Sequence, residues 1–302
     1  MKLAIQIGTA KFPNPVTVAS GTFGHAEKYY ALDEVKQLGA IVPKTVTFLP
    51  QAGNPPARIL ETPSGMLNAI GIENPGIDAF IETKLPSLQK IGVPLIVSVL
   101  GNTPEQFLGI MDRLNKQTGI AAIELNLSCP NLKHKTLIAQ DPQATELLVK
   151  QVKAVSKFPV IAKLSPNVTD IAEIARAAQA GGADALSLVN TFTAMAIDIE
   201  KRRSKIGNFT GGLSGPAIRP IAVAMTHRVY THVQIPVIGM GGIASANDAL
   251  EFIIAGASMV AVGTFNFVNP RAVLDVLEGI KDYMKKHKIQ DISEIIGSLE
   301  HG

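Results

Sequence analysis

The sequence predicts an α/β fold, a single (β/α)8 TIM barrel with an N-terminal hairpin, and three observations support this class. Eight short apolar runs recur along the chain, eight helix-like segments alternate with them, and no linker interrupts the alternation. Strands buried on both faces of a parallel sheet have such continuous apolar runs. Regular alternation of strands and helices without a boundary is typical of one barrel. We therefore predict one domain spanning residues 1–302.

The elements are predicted in order from the length, composition and flanking residues of each segment. The apolar, β-branched runs predict strands over residues 16–21, 40–47, 94–101, 121–128, 159–166, 185–191, 236–242 and 259–264. The amphipathic segments predict helices over residues 27–38, 76–91, 104–118, 143–156, 169–180, 216–233, 245–255 and 270–286. Pro104, Pro216 and Pro270 support three of the helix starts. The residues before the first strand predict a hairpin at the bottom of the barrel.

Composition limits the possible partners. Hydrophobic residues make up 46% of the chain and charged residues 18%, with a net charge of +3, so a large core can be buried. The basic residues are dispersed, which argues against nucleic-acid binding. The histidines show no metal-ligand spacing. The N-terminus has no signal-peptide pattern and no run reaches the ~18 apolar residues of a membrane span. We therefore expect a cytoplasmic protein without metal, membrane or nucleic acid.

Polar residues at the predicted strand ends mark the candidate site, because barrel enzymes place function there. Amides, hydroxyls and lysines suit a planar ligand with carbonyl, N–H and anionic groups. The late strands end in glycines that precede helices, an arrangement typical of anion sites. The long segments 48–75 and 192–215 follow strand ends and should lie on the same face. The strand-end residues are Ser20, Lys44, Thr45, Ser98, Asn126, Lys163, Asn190, Thr191, Gly241, Gly242, Gly263 and Thr264.

The stretch "ELNLSCPN" at residues 124–131 contains Cys129, the single cysteine of the chain. One cysteine excludes an internal disulfide and an iron–sulfur cluster held by this chain alone. A lone cysteine is more often inert packing, but the polar, irregular neighbours of Cys129 favour a functional thiol. The stretch "GMGGIA" at residues 239–244 matches a dinucleotide-binding pattern. The next predicted strand end lacks the acidic residue that this pattern requires, so we do not predict a Rossmann fold.

Motifs along nearly the whole chain resemble the class 1 dihydroorotate dehydrogenases. They are "ASGTFG", "KTVT", "ETPSGMLNAIGIENPG", "ELNLSCPN", "AKLSPN", "LVNT", "GGLSGPAIRP", "GMGGI" and "VGTFNF". Two of these motifs and the ending "YMKKHKIQDISEIIG" resemble the NAD-linked class 1B catalytic subunit. The resemblance implies oxidation of (S)-dihydroorotate to orotate in de novo pyrimidine (UMP) biosynthesis, with FMN on the catalytic face. It also implies a homodimer of this chain and an electron-transfer subunit with FAD and a [2Fe–2S] cluster, giving a heterotetramer that reduces NAD⁺.

The resemblance also implies roles for individual residues. Cys129 would be the general base. FMN would be held by Ser20, Lys44, Thr45, Asn126, Lys163, Val189, Gly215, Gly241, Gly242, Gly263 and Thr264. The substrate would be held by Lys44, Asn68, Ala69, Ile70, Gly71, Ile72, Asn126, Asn131, Asn190 and Thr191.

Two positions depart from the family pattern. Ser98 stands where the family often has an asparagine, and "LKHKTLIAQDP" follows "SCPN" in place of a glycine-rich stretch. Four alternatives stay open at this point. These are a fumarate-linked class 1A enzyme, a dihydropyrimidine dehydrogenase-like subunit, a tRNA dihydrouridine synthase and a non-redox phosphate-binding barrel such as an aldolase.

Overall fold

A curled sheet of eight parallel strands forms the centre of the computed structural model, which describes residues 1–24, 32–128, 130–131 and 136–300. Numbered in chain order among β1 to β18, the barrel strands are β3 (Val16–Val18), β4 (Val46–Thr47), β7 (Ile96–Leu100), β8 (Ala122–Asn126), β11 (Val160–Lys163), β12 (Ala185–Leu188), β17 (Val237–Met240) and β18 (Met259–Val262). The sheet order is β3-β18-β17-β12-β11-β8-β7-β4. Its two ends meet where Gly39 N donates to Val16 O at 2.9 Å and Thr17 Oγ1 donates to Ala40 O at 2.9 Å. The predicted (β/α)8 barrel is confirmed.

The N-terminal hairpin is also confirmed. Strand β1 (Ile5–Ile7) pairs antiparallel with β2 (Ala10–Phe12). Ile7 and Phe12 are fully buried, so the hairpin is packed through its apolar residues. Gly8 at its turn lies against Pro159, which immediately precedes β11. The hairpin therefore covers the amino ends of the barrel strands, opposite the predicted site.

Nine described helices surround the sheet. They are α1 (Leu32–Val35), α2 (Ile77–Thr83), α3 (Leu85–Lys90), α4 (Pro104–Leu114), α5 (Pro142–Val155), α6 (Ile171–Ala180), α7 (Arg219–Tyr230), α8 (Ala246–Ile254) and α9 (Ala272–Lys286). Short 3-10 turns occupy Ile138–Gln140, Pro216–Ile218, Thr264–Phe267 and Ile292–Glu294. Side chains of Thr103, Asp141, Asp170 and Ser245 accept hydrogen bonds from backbone N–H groups at the starts of α4, α5, α6 and α8, which satisfies donors that a helix end leaves unpaired.

Two predicted helices differ from the structure. The segment 76–91 forms two helices that meet at Lys84, because Pro86 has no N–H group and is tolerated only in the first turn of a new helix. The segment 216–233 begins with a 3-10 turn before α7. Of the predicted helix 27–38, the structure describes α1, and residues 25–31 lie outside the described part.

The long segments 48–75 and 192–215, for which no strands were predicted, form strands. β5 (Ile59–Thr62), β6 (Gly65–Asn68), β13 (Phe192–Ala194) and β16 (Gly211–Ser214) make an antiparallel sheet in the order β13-β16-β6-β5. Its central pair joins segments far apart in sequence, since Gly212 pairs with Asn68. The remaining described strands form two antiparallel pairs. These are β9 (Pro130–Asn131) with β10 (Thr136–Leu137) and β14 (Ile197–Asp198) with β15 (Arg203–Ser204). The expectation that both long segments lie at the strand ends holds, and each segment contributes strands to the sheet there.

No helix within the described residues is long and apolar enough to cross a membrane.

Candidate active site

A cavity of about 540 Å³ lies at the carboxyl ends of the barrel strands, next to the antiparallel sheet. Ligand sites for small molecules usually enclose ~300–1,000 Å³, so the cavity has room for a cofactor and a small substrate. Residues that follow β3, β8, β12, β17 and β18 line it, together with residues of β6 and β16. The barrel strands and the covering sheet therefore build this space together.

Two lysines from different strands reach the cavity. Lys163 ends β11 and is only 5% exposed, and Lys44 precedes β4. Burial, and then the nearby Lys163 ammonium, lowers the pKa of the Lys44 ammonium below its ordinary value, while Glu73 partly offsets this shift. Gly21 has φ +80°, and a side chain there would approach Lys44 Nζ to 3.2 Å. An anionic group between the two lysines would relieve their mutual repulsion.

Lys44 and Thr45 line the cavity as predicted, but they precede a strand instead of ending one. The predicted strand 40–47 appears as an isolated bridge at Ile41 followed by the two-residue β4, and the two side chains lie between them. Thr45 Oγ1 lies 3.0 Å from Ser98 Oγ and donates to Ser20 Oγ at 3.4 Å. Ser98 is fully buried and does not line the cavity. The serine at this position therefore supports Thr45 from below.

Amide groups form a second, connected part of the lining. Asn190 Nδ2 donates to Ser128 Oγ at 3.0 Å and to Asn126 Oδ1 at 3.5 Å, and Asn190 Oδ1 accepts from Thr191 N at 2.8 Å. Asn126 Oδ1 also accepts from Ser128 N at 3.2 Å. These contacts fix the orientation of both amides, so the cavity presents a preset pattern of donors and acceptors.

Asn68 joins this group from the covering sheet. Its Nδ2 donates to Gly212 O at 3.3 Å. A side chain at Gly212 would collide with Thr191, since its Cβ would lie 2.1 Å from Thr191 Oγ1. Glycine at this position lets β16 approach the loop after β12. Residues of β6, the end of β8 and the loop after β12 therefore line the cavity together.

Glycines form another part of the lining. Gly241 and Gly242 have φ values of +127° and +85°, and Gly215 has +95°, conformations that favour glycine. A Cβ at Gly242 would lie 2.9 Å from both Arg219 N and Gly215 O. Gly263 precedes the 3-10 turn Thr264–Phe267, and Thr264 Oγ1 donates to Ser214 Oγ at 2.8 Å. Backbone N–H groups in such turns form a cradle for an anion.

The structure brings most of the predicted site residues to this cavity. The lining includes Ser20, Lys44, Thr45, Asn68, Ile70, Gly71, Ile72, Asn126, Lys163, Val189, Asn190, Thr191, Gly215, Gly241, Gly242, Gly263 and Thr264. Ala69 is not part of it, because this residue is 7% exposed and its N–H pairs with Arg58 O at 2.8 Å. Cys129 and the side chain of Asn131 lie outside the described part.

Sequence reasoning assigned no role to several residues that shape the site. Ser128, recognised only as a strand-end residue, and Ser214 line the cavity and hold Asn190 and Thr264, and Met66 contributes an apolar surface from β6. Glu124 was not singled out, although a carboxylate inside an otherwise apolar strand is an unusual pattern. In the structure Glu124 is buried beneath the lining, and Glu124 Oε1 lies 3.5 Å from Lys163 Nζ.

Over the described ranges, no group of three histidine, cysteine, aspartate or glutamate residues is placed to hold a metal ion. The polar groups at the cavity are lysine, hydroxyl, amide and backbone groups, together with Glu73. They suit an organic ligand with anionic and hydrogen-bonding parts.

A (β/α)8 barrel with a cavity of this size at the carboxyl ends of its strands defines an enzyme, because barrel active sites occupy that face. A sequence model of the dihydroorotate dehydrogenase family matches residues 2–284. The chain therefore belongs to the dihydroorotate dehydrogenase family, a flavin-dependent family of oxidoreductases, as its motifs predicted.

Curated relatives narrow this assignment. The chain is 50% identical over 301 residues to the catalytic subunit of dihydroorotate dehydrogenase B (NAD⁺) of Lachnoclostridium phytofermentans, covering 99% of this chain and 100% of the relative. It is 50% identical over 299 residues to the same subunit of Desulforudis audaxviator, covering 99% and 97%. The subunit of Thermoanaerobacter pseudethanolicus is also 50% identical over 301 residues, with 99% of both chains covered. The predicted NAD-linked type is confirmed.

Proposed function

We propose that this chain oxidises (S)-dihydroorotate to orotate with FMN in the described cavity and passes the electrons through a partner subunit to NAD⁺. The proposal rests on the two kinds of group that line the cavity. Glycines that form a cradle suited to a phosphate line the same cavity as a group of lysines and oriented amides. FMN needs both features, and a small planar substrate needs the second.

The cradle fits the phosphate of FMN. Gly241, Gly242, Gly263 and Thr264 would hold it, with Gly215 shaping the turn beside Gly242. A Cβ at Gly242 would fill space that the neighbouring backbone already approaches, so the cradle is built for bare backbone N–H groups. Hydrogen bonds to a charged phosphate are stronger than those to a neutral group.

The rest of the lining fits the ring system of FMN. Ser20, Thr45 and Lys163 would contact its polar edge, and Lys44 and Asn126 would contact both FMN and substrate. Val189 supplies an apolar surface. When bound, FMN supplies the redox chemistry by accepting the hydride of dihydroorotate.

The substrate would lie against the oriented amides. Asn68, Asn126 and Asn190 would hold the pyrimidine ring, with Thr191, Asn131 and the segment from Ile70 to Ile72 beside it. Because the contacts of Asn190 with Ser128 and Thr191 are already made, little reorganisation is needed on binding. Such positioning matters because a misplacement of about 1 Å can cost ~100-fold in rate.

Cys129 would remove the proton at C5 of the substrate. Cys129 directly follows Ser128 in the sequence, and Ser128 lines the cavity. Only the thiolate accepts a proton.

Alanine substitution of Asn68, Asn126 or Asn190 is expected to weaken orotate binding while FMN stays bound. Each change removes an amide from the lining and leaves the glycine cradle intact. Titration with orotate, monitored by the flavin absorption spectrum, measures the dissociation constant of orotate. We expect this constant to rise about tenfold or more in each variant, which corresponds to the loss of roughly one hydrogen bond. Asn115→Ala is the matched control, because Asn115 lies at the end of α4 and does not line the cavity. Unchanged orotate affinity in all three variants would contradict the substrate assignment.

The electron acceptor follows from the type of enzyme. The relatives' names describe a catalytic subunit of an NAD⁺-linked enzyme, and one cysteine cannot hold an iron–sulfur cluster. We infer a homodimer of this chain with two electron-transfer subunits that carry FAD and a [2Fe–2S] cluster, together a heterotetramer in the cytoplasm.

NAD⁺ reduction is expected to depend on the partner. The isolated chain should oxidise dihydroorotate with an artificial acceptor but reduce NAD⁺ only slowly, because it has no route from FMN to NAD⁺. Co-expression with the partner subunit and assay of NADH formation at 340 nm should show the restored activity. Rapid turnover of the isolated chain with fumarate would assign it to class 1A instead.

A further inference from the structure

Glu124 is a buried charged residue that the proposed reaction does not use. It lies on β8, is 3% exposed and does not line the cavity. Side chains two residues apart on a strand point to the same side. Glu124 therefore points into the barrel like Asn126, one layer deeper than the site. Burying a carboxylate at this depth costs folding free energy unless an opposite charge or hydrogen bonds compensate it.

The compensating contacts come from two neighbouring strands. Ser187 Oγ donates to Glu124 Oε2 at 2.9 Å. Glu124 Oε1 makes no hydrogen bond to the described residues, and Lys163 Nζ lies 3.5 Å away from it. Lys163 also donates to Ser20 Oγ at 3.4 Å and lines the cavity. The Lys163 ammonium thus lies between a buried carboxylate below and the cavity above.

The charges around the cavity explain why a carboxylate is useful there. Lys44 and Lys163 repel each other strongly enough to contribute to the lowered pKa of Lys44. Glu73, the acidic residue of the lining, forms an ion pair with Arg58 at the surface. Glu124 is the carboxylate that pairs with Lys163 in the described structure. Removing one member of a buried pair leaves the other charge uncompensated.

We propose that Glu124 is a positioning residue that holds the Lys163 ammonium at the cavity floor and limits the positive field on the bound flavin. The inference rests on the proposed function, because it concerns FMN in this cavity. Positive charge stabilises the reduced flavin more than the oxidised flavin, since reduction adds negative charge. Glu124 therefore lowers the midpoint potential of the bound FMN without touching it.

The test is the midpoint potential of FMN in the purified chain carrying Glu124→Gln, measured by reductive titration against a reference dye. Glutamine keeps the shape of the glutamate side chain and can still accept the hydrogen bond from Ser187, but it removes the negative charge. The potential should shift in the positive direction, and reduced FMN should bind on the order of tenfold more tightly relative to oxidised FMN. Glu82→Gln is the control, because it removes the same charge from an exposed position on α2.

A second pair of variants separates positioning from packing. Lys163→Met should shift the potential in the negative direction, because it removes the positive charge beside the cavity. In the Lys163→Met background, Glu124→Gln should have little further effect, because Glu124 acts through the Lys163 ammonium, which this background lacks. Additive shifts in the double variant would overturn the pairing of the two residues.

The other outcomes are also decisive. If the Glu124→Gln protein has lowered thermal stability but an unchanged midpoint potential, Glu124 has only a structural role and the proposal is overturned. If the glutamine variant does not fold, Glu124→Asp is the alternative variant, because it moves the carboxylate away from Lys163. The midpoint potential should then shift in the positive direction by a smaller amount. An unchanged potential in Glu124→Asp would contradict the proposal. A chain that binds FMN but is not reduced by dihydroorotate overturns the proposed function alone, since the dye titration still tests Glu124. A chain that binds no FMN overturns both.

Discussion

Replacing Gly242 with alanine is expected to weaken FMN binding by on the order of 100-fold or more. The new Cβ would lie 2.7 Å from Arg219 Cβ and 2.9 Å from both Arg219 N and Gly215 O, so the backbone of the cradle has to move. Movement would cost hydrogen bonds to the phosphate, and bonds to a charged group contribute ~1.5–3 kcal/mol each. Titration of the apo protein with FMN, followed by quenching of flavin fluorescence, measures the loss.

Gly92→Ala is the matched control for this substitution. Gly92 has φ +77°, close to the +85° of Gly242, but a Cβ there would meet no atom within 4 Å. Both variants therefore carry the same backbone strain, and the Gly242 variant alone disturbs the cradle. FMN affinity should be unchanged in Gly92→Ala. Equal affinities in the two variants would contradict the placement of the phosphate at Gly242.

Cys129→Ser is expected to slow reduction of the flavin by dihydroorotate by ~10²–10⁴-fold at neutral pH. A thiol with an ordinary pKa near ~8.5 can ionise, whereas a serine hydroxyl is a far poorer base. Anaerobic stopped-flow mixing with dihydroorotate gives the rate directly. In the unmodified chain the same rate should rise with pH as the thiolate forms.

The binding properties of the Cys129→Ser protein are the control. FMN and orotate should bind as in the unmodified chain, because the substitution exchanges sulfur for oxygen and leaves the lysines and amides in place. A variant with normal binding and an unchanged reduction rate would show that Cys129 contributes packing and that another group takes the proton.

The barrel could be predicted from the sequence because its strands are buried on both faces. β11, β12, β17 and β18 have no exposed residue, so each is a nearly continuous apolar run. The antiparallel sheet over the cavity could not be predicted in the same way. Its strands are partly exposed and rich in glycine, as in β16, and the β6–β16 pairing joins distant segments that no local pattern connects.

The parts of the candidate site that could be predicted are those marked by a short sequence motif. Paired glycines before a helix, such as Gly241 and Gly242, indicate an anion site wherever they follow a strand. Contacts between distant segments leave no such pattern. The support of Thr45 by Ser98 and the burial of Ala69 appear only when the strands are assembled. Glu124 was visible as a charged residue in an apolar strand, but its partner Lys163 lies on the neighbouring strand.

Anaerobic mixing of the purified yellow chain with (S)-dihydroorotate measures the proposed reaction itself. The flavin absorbance near ~450 nm should be bleached in a single turnover, orotate should form in equal amount, and NAD⁺ should restore the colour quickly only in the presence of the partner subunit. A chain that retains FMN but keeps its absorbance after mixing with dihydroorotate would contradict the proposed oxidation.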